Sequence, residues 1–254
     1  MPTALSRCTA YKRCARMPTM AQRHLEHNTM DVIHLLQRMP LFAGLAKDEL
    51  EMISQITIQQ RYARNQVIIR AGDRGTVFFL LTAGVVGVSV AGNRGKEIML
   101  GVLYPNDFFG EMALLDGLPR SATVTALEES EVLVISRKDF LECIRTMPQI
   151  AATMIVTLSL RLRRADQKIG TLVFLKAPGR VARTLLELAQ GRGHTTPAGT
   201  LVSLPFTRRE MAELAGVSRE TFARSLSKLQ RMGVLTVERR QLLIPDLRRL
   251  QDLA

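Results

Sequence analysis

The sequence predicts an α+β chain of two modules joined by a long helix: an antiparallel β-barrel or β-sandwich first, then a helix-turn-helix followed by a short β-hairpin. Apolar runs broken by glycine or proline recur about every ten residues over 62–134, which is typical of antiparallel strands. An apolar heptad pattern over 151–172 indicates one long helix. Two capped helices separated by a turn glycine over 207–229 indicate the helix-turn-helix. The length of 254 residues fits two modules.

Charge points to an anionic partner. Lys and Arg total 35 against 23 Asp and Glu, a net charge of +12. Residues 177–254 hold 13 basic and 7 acidic side chains, the largest excess of any part of the chain, in a segment that also has a folded pattern. With 46% hydrophobic and 23% charged residues the composition is that of a globular protein, which excludes collagen, a disulfide scaffold and general disorder. A nucleic acid is therefore the first partner to consider.

Residues 1–30 are basic and have no apolar period, so we predict a disordered extension, unless translation starts at Met17, Met20 or Met30. The predicted barrel domain covers 31–147. It begins with a helix from Asp31 to Pro40 and a second over 48–58, and it ends with a helix over 139–147. The predicted strands between them are 67–69, 77–81, 85–90, 98–103, 122–126 and 132–135.

The cysteines and the apolar stretches predict a cytoplasmic protein without a membrane span. Cys8, Cys14 and Cys143 have no metal-type or CxxC spacing, so reduced thiols are expected. Nineteen uncharged residues over 75–93 reach the length of a transmembrane helix, but their glycines and valines indicate strands and turns. The N-terminus has no apolar run of signal-peptide length.

The segment 148–176 predicts a dimerisation helix. Seven apolar residues are spaced alternately by four and three, which produces one stripe along a helix. The alternative is a helix packed on its own barrel, but the strict spacing and the flanking Arg161, Arg163 and Arg164 favour a homodimer. The predicted interface residues are Ala151, Ile155, Leu158, Leu162, Ala165, Ile169 and Leu172.

Residues 177–254 predict a winged helix-turn-helix. A helix with Pro178 in its first turn runs to Ala189, and the glycine-rich stretch 191–200 is predicted to be a loop. Thr207 with Glu210 forms a capping box, Gly216 supplies the turn, and Ser218 caps the second helix. Apolar runs at 234–237 and 242–244 predict a hairpin wing.

The second helix of this motif carries the candidate DNA contacts. Arg219, Glu220, Ala223 and Arg224 lie outside the apolar face formed by Phe222, Leu226 and Leu229, where they can reach base edges. Arg208 at the start of the first helix is expected to bind a phosphate. The predicted DNA-binding residues are Thr207, Arg208, Ser218, Arg219, Glu220, Thr221 and Arg224.

Residues 109–126 combine a glycine, a carboxylate and an arginine–serine pair, as expected of a site for a phosphorylated sugar. Arg120 and Ser121 can hold a phosphate while Glu111 accepts from a sugar hydroxyl. The alternative is that Glu111 and Arg120 only pair with each other. The predicted ligand-binding residues here are Gly110, Glu111, Met112, Ala113, Arg120, Ser121 and Ala122.

Over about residues 31–250 the sequence resembles the cyclic-AMP receptor/Fnr (Crp/Fnr) family of bacterial transcription regulators. Residues 68–84 are similar to the first signature of cyclic-nucleotide-binding barrels, and 109–126, with Pro119-Arg-Ser-Ala122, to their phosphate-binding cassette. Arg219-Glu-Thr221 with Arg224 resembles the recognition helix of the cyclic-AMP receptor branch. The resemblance implies a double-stranded β-helix (jelly-roll) barrel, a homodimer, a cyclic nucleotide effector and palindromic DNA with TGTGA-like half-sites. RNA polymerase is a further partner if the protein is an activator.

Two departures from the family bear on the ligand. At the long-helix positions where the family's cyclic-AMP receptor contacts adenine with a Thr-Ser pair, this chain has Ala165 and Asp166, so the two join the predicted ligand-binding residues and cyclic GMP is an alternative to cyclic AMP. The four-cysteine iron–sulfur pattern of the Fnr branch is missing, and no metal is expected.

The sequence also bears on three other functions. An enzyme is not expected, because no nucleophile–base or metal-ligand set occurs. A regulator that binds DNA without a nucleotide stays open, as does a cyclic-nucleotide-binding regulatory subunit, although residues 207–244 argue against the latter.

Overall fold

The computed structural model describes residues 29–92 and 97–254. The predicted N-terminal extension therefore lies outside the described residues, apart from the start of the first helix. An α+β architecture of barrel, long helix and winged helix-turn-helix is observed, so the predicted fold class is confirmed.

The barrel domain starts with two helices, α1 (Thr29–Gln37) and α2 (Lys47–Gln55), separated by a 3-10 turn at Pro40–Phe42. Helix α2 is shorter than the predicted 48–58. Thr57 already belongs to the first strand, where it faces Ile135 across an antiparallel pair. Residues 57–62 do not alternate between polar and apolar side chains, and their burial pattern is irregular, so this strand has no period from which it could have been separated from the helix.

Eight strands form two antiparallel four-stranded sheets that enclose the barrel core. The sheet orders are β1-β8-β3-β6 and β2-β7-β4-β5, so neighbouring strands other than β4 and β5 are not consecutive in sequence, as in a jelly-roll. A short helix, α3 (Met112–Leu115), interrupts the second half of the barrel. The strands are β1 (Thr57–Tyr62), β2 (Val67–Ile69), β3 (Val77–Ala83), β4 (Val86–Ala91), β5 (Glu97–Leu103), β6 (Phe108–Phe109), β7 (Thr123–Ala126) and β8 (Ser130–Ser136).

Helix α4 (Arg137–Thr146) leads directly into the long helix α5 (Pro148–Phe174). Near its start α5 buries Ile150 and Met154 against the barrel, in the same core as Phe78 and Phe140. The predicted heptad residues lie on another face. Ile155, Leu162 and Ile169 are each at least 60% exposed in the single chain. One face of α5 therefore packs on its own barrel, while the apolar stripe predicted to form the dimer interface is uncovered in the single chain.

The C-terminal module is built on α6 (Ala177–Arg192), which buries Val181, Leu185 and Leu188. The predicted loop over 191–200 is wrong. Residues Gly193–Thr196 and Gly199–Ser203 form a hairpin, β9 and β10. Only Pro197 and Ala198 make the turn, whereas Gly193 and Gly199, which suggested a loop, are strand residues. The remaining elements are α7 (Arg208–Leu214), α8 (Arg219–Arg231), β11 (Thr236–Glu238), β12 (Gln241–Ile244) and α9 (Leu247–Gln251). The wing is a four-stranded sheet in the order β11-β12-β10-β9.

The helix-turn-helix follows its predicted capping. The Thr207 hydroxyl accepts from the backbone N–H of Glu210, whose carboxylate accepts from the N–H of Thr207. The Ser218 hydroxyl accepts from the N–H of Thr221. Gly216, between the helices, has φ +62°, and a Cβ there would lie 2.9 Å from Leu172 Cδ2 of the long helix. The turn glycine therefore provides both the backbone conformation and the close approach to α5.

Barrel and C-terminal module share buried surface. Val85, Met99 and Leu127 of the barrel belong to the same buried apolar cluster as Leu185, Phe222 and the rest of the C-terminal core. Strand β5 packs on helix α7. The contact between the two modules is therefore part of the folded core.

Candidate functional site

The cassette predicted from residues 109–126 lies at one end of the barrel, between β6 and β7. Gly110 has φ +82°, and a Cβ added to it would lie 2.6 Å from Arg120 Nη1. Glycine is therefore needed here both for the left-handed backbone and for the approach of the arginine. Glu111 and α3 follow directly, and Ala113 of α3 packs against Gly75 of the facing loop.

Arg120 is 7% exposed and points into the barrel wall. Its Nη1 donates to the Gly110 carbonyl at 2.6 Å and its Nη2 to the Val77 carbonyl at 2.7 Å. Burial lowers the pKa of Arg120, against the opposing effects of Glu111 and Asp73. The guanidinium is thus fixed by backbone carbonyls, which leaves its remaining donors for a ligand.

Glu111, 5% exposed, pairs with an arginine that the sequence analysis did not include in the site. Arg161 Nη1 lies 3.2 Å from Glu111 Oε1, its Nη2 donates to the Phe108 carbonyl at 2.5 Å, and its guanidinium carbon lies 4.5 Å from the centre of the Phe108 ring. Burial raises the pKa of Glu111, and Arg161 opposes that shift. The predicted alternative, a Glu111–Arg120 ion pair, does not form.

Arg161 could have been found from its position on the helix. It lies four residues before Ala165, so the two side chains share one face of α5. It appeared in the sequence only as a charged residue beside the apolar stripe, whereas its acceptor lies in the barrel.

The other predicted ligand residues are placed as follows. Ser121 is exposed, and its hydroxyl lies 3.6 Å from the Met112 sulfur, while Ala122 is half-buried beside it. Ala165 and Asp166 are exposed on α5, and neither forms a hydrogen bond or ion pair with the cassette within the single chain. The structure therefore brings Gly110, Glu111, Arg120 and Ser121 together but leaves the two long-helix residues apart from them.

The candidate nucleic-acid interface is the exposed side of α8. Arg219, Glu220 and Arg224 are exposed there, while Phe222, Leu226 and Leu229 are buried in the module core. The pKa of Glu220 is lowered by its backbone hydrogen bond and by Ser218, so its carboxylate is a hydrogen-bond acceptor at neutral pH. Thr207 and Arg208 are exposed at the start of α7, and Thr221 accepts from Arg224 Nη2 at 3.4 Å. The wing turn adds Arg239, whose φ is +53°, and Arg240.

No group of three or more His, Cys, Asp or Glu side chains that could hold a metal ion occurs within residues 29–92 and 97–254. No single helix in the same residues is long and apolar enough to cross a membrane, and the pair α4 and α5, which reaches that length together, is bent by 106°.

Comparison with known proteins agrees with both halves of this description. Residues 59–147 match the cyclic nucleotide-binding domain family, and residues 179–253 match the Crp-like helix-turn-helix domain family. The chain is 37% identical to the cyclic AMP receptor protein of Thermus thermophilus over 77% of its own length and 88% of that protein. It is 33% identical to the cAMP-activated global transcriptional regulator CRP of Escherichia coli O157:H7, over 72% and 88% of the two chains.

Solved structures agree on the fold. The c-di-GMP responsive global regulator CLP of Xanthomonas campestris superposes with a TM-score of 0.70 at 26% identity, covering 79% of this chain and all of that one. FixK2 of Bradyrhizobium japonicum superposes with the same TM-score at 22% identity, covering 78% and 97%. With two matching domain families in order and relatives above 30% identity along most of its length, the chain belongs to the Crp/Fnr family of transcription regulators.

Proposed function

We propose that this protein is a cytoplasmic, homodimeric regulator whose barrel binds a purine cyclic mononucleotide and whose two helix-turn-helix modules bind a palindromic operator. The observation that carries the effector half of the proposal is the buried pair of Glu111 and Arg161. It joins the cassette to the long helix, which is also the candidate dimer helix. A ligand that changes this pair acts on both at once.

Glu111 would bind the ribose of the nucleotide. A buried carboxylate needs donors, and a ribose 2′-hydroxyl is a donor that can share Glu111 with Arg161 or replace it. The cyclic phosphate would bind the free donors of Arg120 and the Ser121 hydroxyl, since charge-assisted hydrogen bonds suit an anion.

Two effectors follow from different observations. The names of the Thermus thermophilus and Escherichia coli relatives favour cyclic AMP. Asp166 favours cyclic GMP, because a carboxylate accepts from guanine N1–H and the amino group but repels the N1 acceptor of adenine. In a dimer, Ala165 and Asp166 of one chain would reach the ligand of the partner chain, which fits their separation from the cassette within a single chain.

The DNA half of the proposal assigns roles to the exposed side chains. Arg219 and Arg224 bind guanines, Glu220 accepts from a cytosine amino group, and Arg208 binds a phosphate. The resemblance to the cyclic-AMP receptor branch implies TGTGA-like half-sites. Thr207, Ser218 and Thr221 complete the contact surface at the helix starts. RNA polymerase is the further partner where the protein activates transcription. The proposal is for a binding protein without a catalytic step.

Calorimetric titration with cyclic AMP, cyclic GMP and cyclic di-GMP tests the effector, followed by DNA-binding assays with and without each. We expect one cyclic mononucleotide to bind and to raise operator affinity. Arg120→Leu should abolish both effects and leave the ligand-free affinity unchanged. Arg163→Leu, on α5 outside the cassette, is the matched control. If no nucleotide binds or alters operator affinity in the wild type, the protein is a nucleotide-independent regulator instead.

A further inference from the structure

The C-terminal module is held to its own barrel by contacts that neither the effector site nor the DNA interface uses. At the end of α6, Arg192 Nη2 lies 3.7 Å from Glu128 Oε2 of the barrel, and the Arg192 guanidinium carbon lies 5.4 Å from the centre of the Tyr104 ring. Arg64, in the β1–β2 loop, donates to the Pro205 carbonyl at 3.0 Å, just before α7. Together these contacts form a polar clamp around the shared apolar core.

The barrel side of this clamp is itself attached to the long helix. Lys168 Nζ lies 3.3 Å from the Met99 carbonyl and 3.4 Å from the Leu100 carbonyl, so α5 holds β5. Strand β5 packs on α7, and Met99 is buried in the C-terminal core. The first helix of the DNA-binding motif is thus fixed to the barrel wall as well as to the helix that precedes it in the chain.

The covalent link between α5 and α6 does not by itself fix the orientation of the C-terminal module. Only Leu175 and Lys176 separate α5 from α6. Rotation about the backbone dihedrals of two non-helical residues is enough to reorient a module, so its orientation depends on the contacts that surround it. In a dimer the two barrels are related by the long helices, and the clamps then determine the distance and rotation between the two α8 helices.

The distance between the two α8 helices must match the separation of the two half-sites on the DNA. Half-sites are presented on one side of the duplex about 34–36 Å apart, one helical turn of 10–10.5 base pairs. One added base pair therefore moves a half-site by about 3.4 Å and rotates it by about 35°. Resting on the proposed function of a dimer on a palindromic operator, we propose that Arg192 is a positioning residue. Held by Glu128, Tyr104 and the neighbouring Arg64 contact, it sets the half-site spacing that this regulator accepts without itself binding a base.

Arg192→Gln tests the proposal by operator selection with spacers shortened or lengthened by one and two base pairs. The preference for the best spacer over its neighbours should fall by about twofold to fivefold, the ratio that corresponds to loss of a partly exposed ion pair. Affinity for a single isolated half-site should stay at the wild-type value, since α8 is unchanged. Arg192 Nη1 is buried without an acceptor, so glutamine removes an unsatisfied donor and the variant is expected to fold.

Arg183→Gln is the matched control. It removes the same charge from the same helix, but its partner Glu187, at 2.9 Å, lies on α6 itself. Glu128→Lys is the second test variant, because it places a cation opposite Arg192 and should broaden the spacing preference further. The proposal is overturned if both clamp variants keep the wild-type preference, or if Arg183→Gln broadens it equally. Loss of half-site affinity in Arg192→Gln would also overturn it, since it would show a direct contribution to DNA contact.

Discussion

Glu111 is the residue at which the barrel and the long helix meet. Its carboxylate is almost completely removed from water and has one arginine as its ion-pair partner. Burial is the largest influence on the pKa of Glu111 and raises it, while Arg161 and Arg120 act in the opposite direction. A buried carboxylate with a raised pKa is typical of a functional position, because a fold gains little stability from it.

This raised pKa makes the stability of the ligand-free protein depend on pH. The folded state binds the proton of Glu111 more tightly than the unfolded chain, so the contribution of this residue to stability is present below the unfolded pKa of about 4.3 and is lost as the pH rises through the folded pKa. Glu111→Gln has no carboxyl group to titrate, so it removes this pH-dependent contribution to stability. We expect the melting temperature of the wild type relative to Glu111→Gln to fall with rising pH across this window. A difference that grows with pH would show that Arg161 dominates.

The local part of this candidate site could be predicted from the sequence, but its connections to other elements could not. Gly110, Glu111, Arg120 and Ser121 are close in sequence, so a local motif was sufficient to find them. The partner of Glu111 is fifty residues away. The carbonyl partners of Arg120, Gly110 and Val77, depend on the packing of strands that only the folded chain brings together. Local patterns contain no information on such pairs.

The long helix α5 has two apolar faces with different surroundings. Ile150 and Met154 are buried on the barrel, whereas the predicted stripe through Ile155, Leu162 and Ile169 is exposed in the single chain. Monomeric proteins expose single apolar residues rather than a continuous apolar stripe of this length. We therefore expect the same helix of a second copy to pack against this stripe.

Replacing Leu158 and Leu162 by glutamate should therefore give monomers. Each leucine buried at the interface contributes about 1.5–3 kcal/mol, and the carboxylates would repel across the two-fold axis. Sedimentation velocity measures the outcome, with Arg163→Glu as a control for added negative charge on the same helix. A dimer that persists in the double variant would place the interface elsewhere.

Variants of α7 and α8 allow phosphate contacts and base contacts to be distinguished. Arg224→Ala should cost about 1–3 kcal/mol of operator binding and relax specificity at one base pair, because a bidentate guanine contact is lost. Arg208→Ala should weaken all sequences alike and reduce the salt dependence. Binding to randomised operators at several salt concentrations separates the two. Equal loss on all sequences for Arg224→Ala would contradict its assignment to a base.

Helices and strands were predicted correctly where residues close in sequence determine them. The caps Thr207 and Ser218 and the turn Gly216 are set by side chains within a few residues, and they were found. The strand at 57–62 and the hairpin at 193–203 were missed. The partner strand of β1 is β8, which is distant in sequence. Strands β9 and β10 pair with each other, but they are short and have little periodicity of their own.

At the scale of the whole molecule, the two-fold symmetry of a dimer determines the symmetry of the operator that it binds. A dimer about the long helices presents two α8 helices in opposite senses, so its operator should be an inverted repeat with half-sites about one helical turn apart. Selection from a random DNA pool, followed by sequencing, is the measurement. Enrichment of direct repeats or of single half-sites would contradict a symmetric dimer.

The common core of the barrel and the DNA-binding module has a consequence for protein engineering. Val85, Met99 and Leu127 fill space in the C-terminal core, so the two modules are not interchangeable units. A chimaera that joins residues 177–254 to the barrel of another regulator would lose these side chains and strand β5, which packs on α7. Such a fusion would need the barrel residues grafted along with the module, and an excised module would expose apolar surface that favours aggregation.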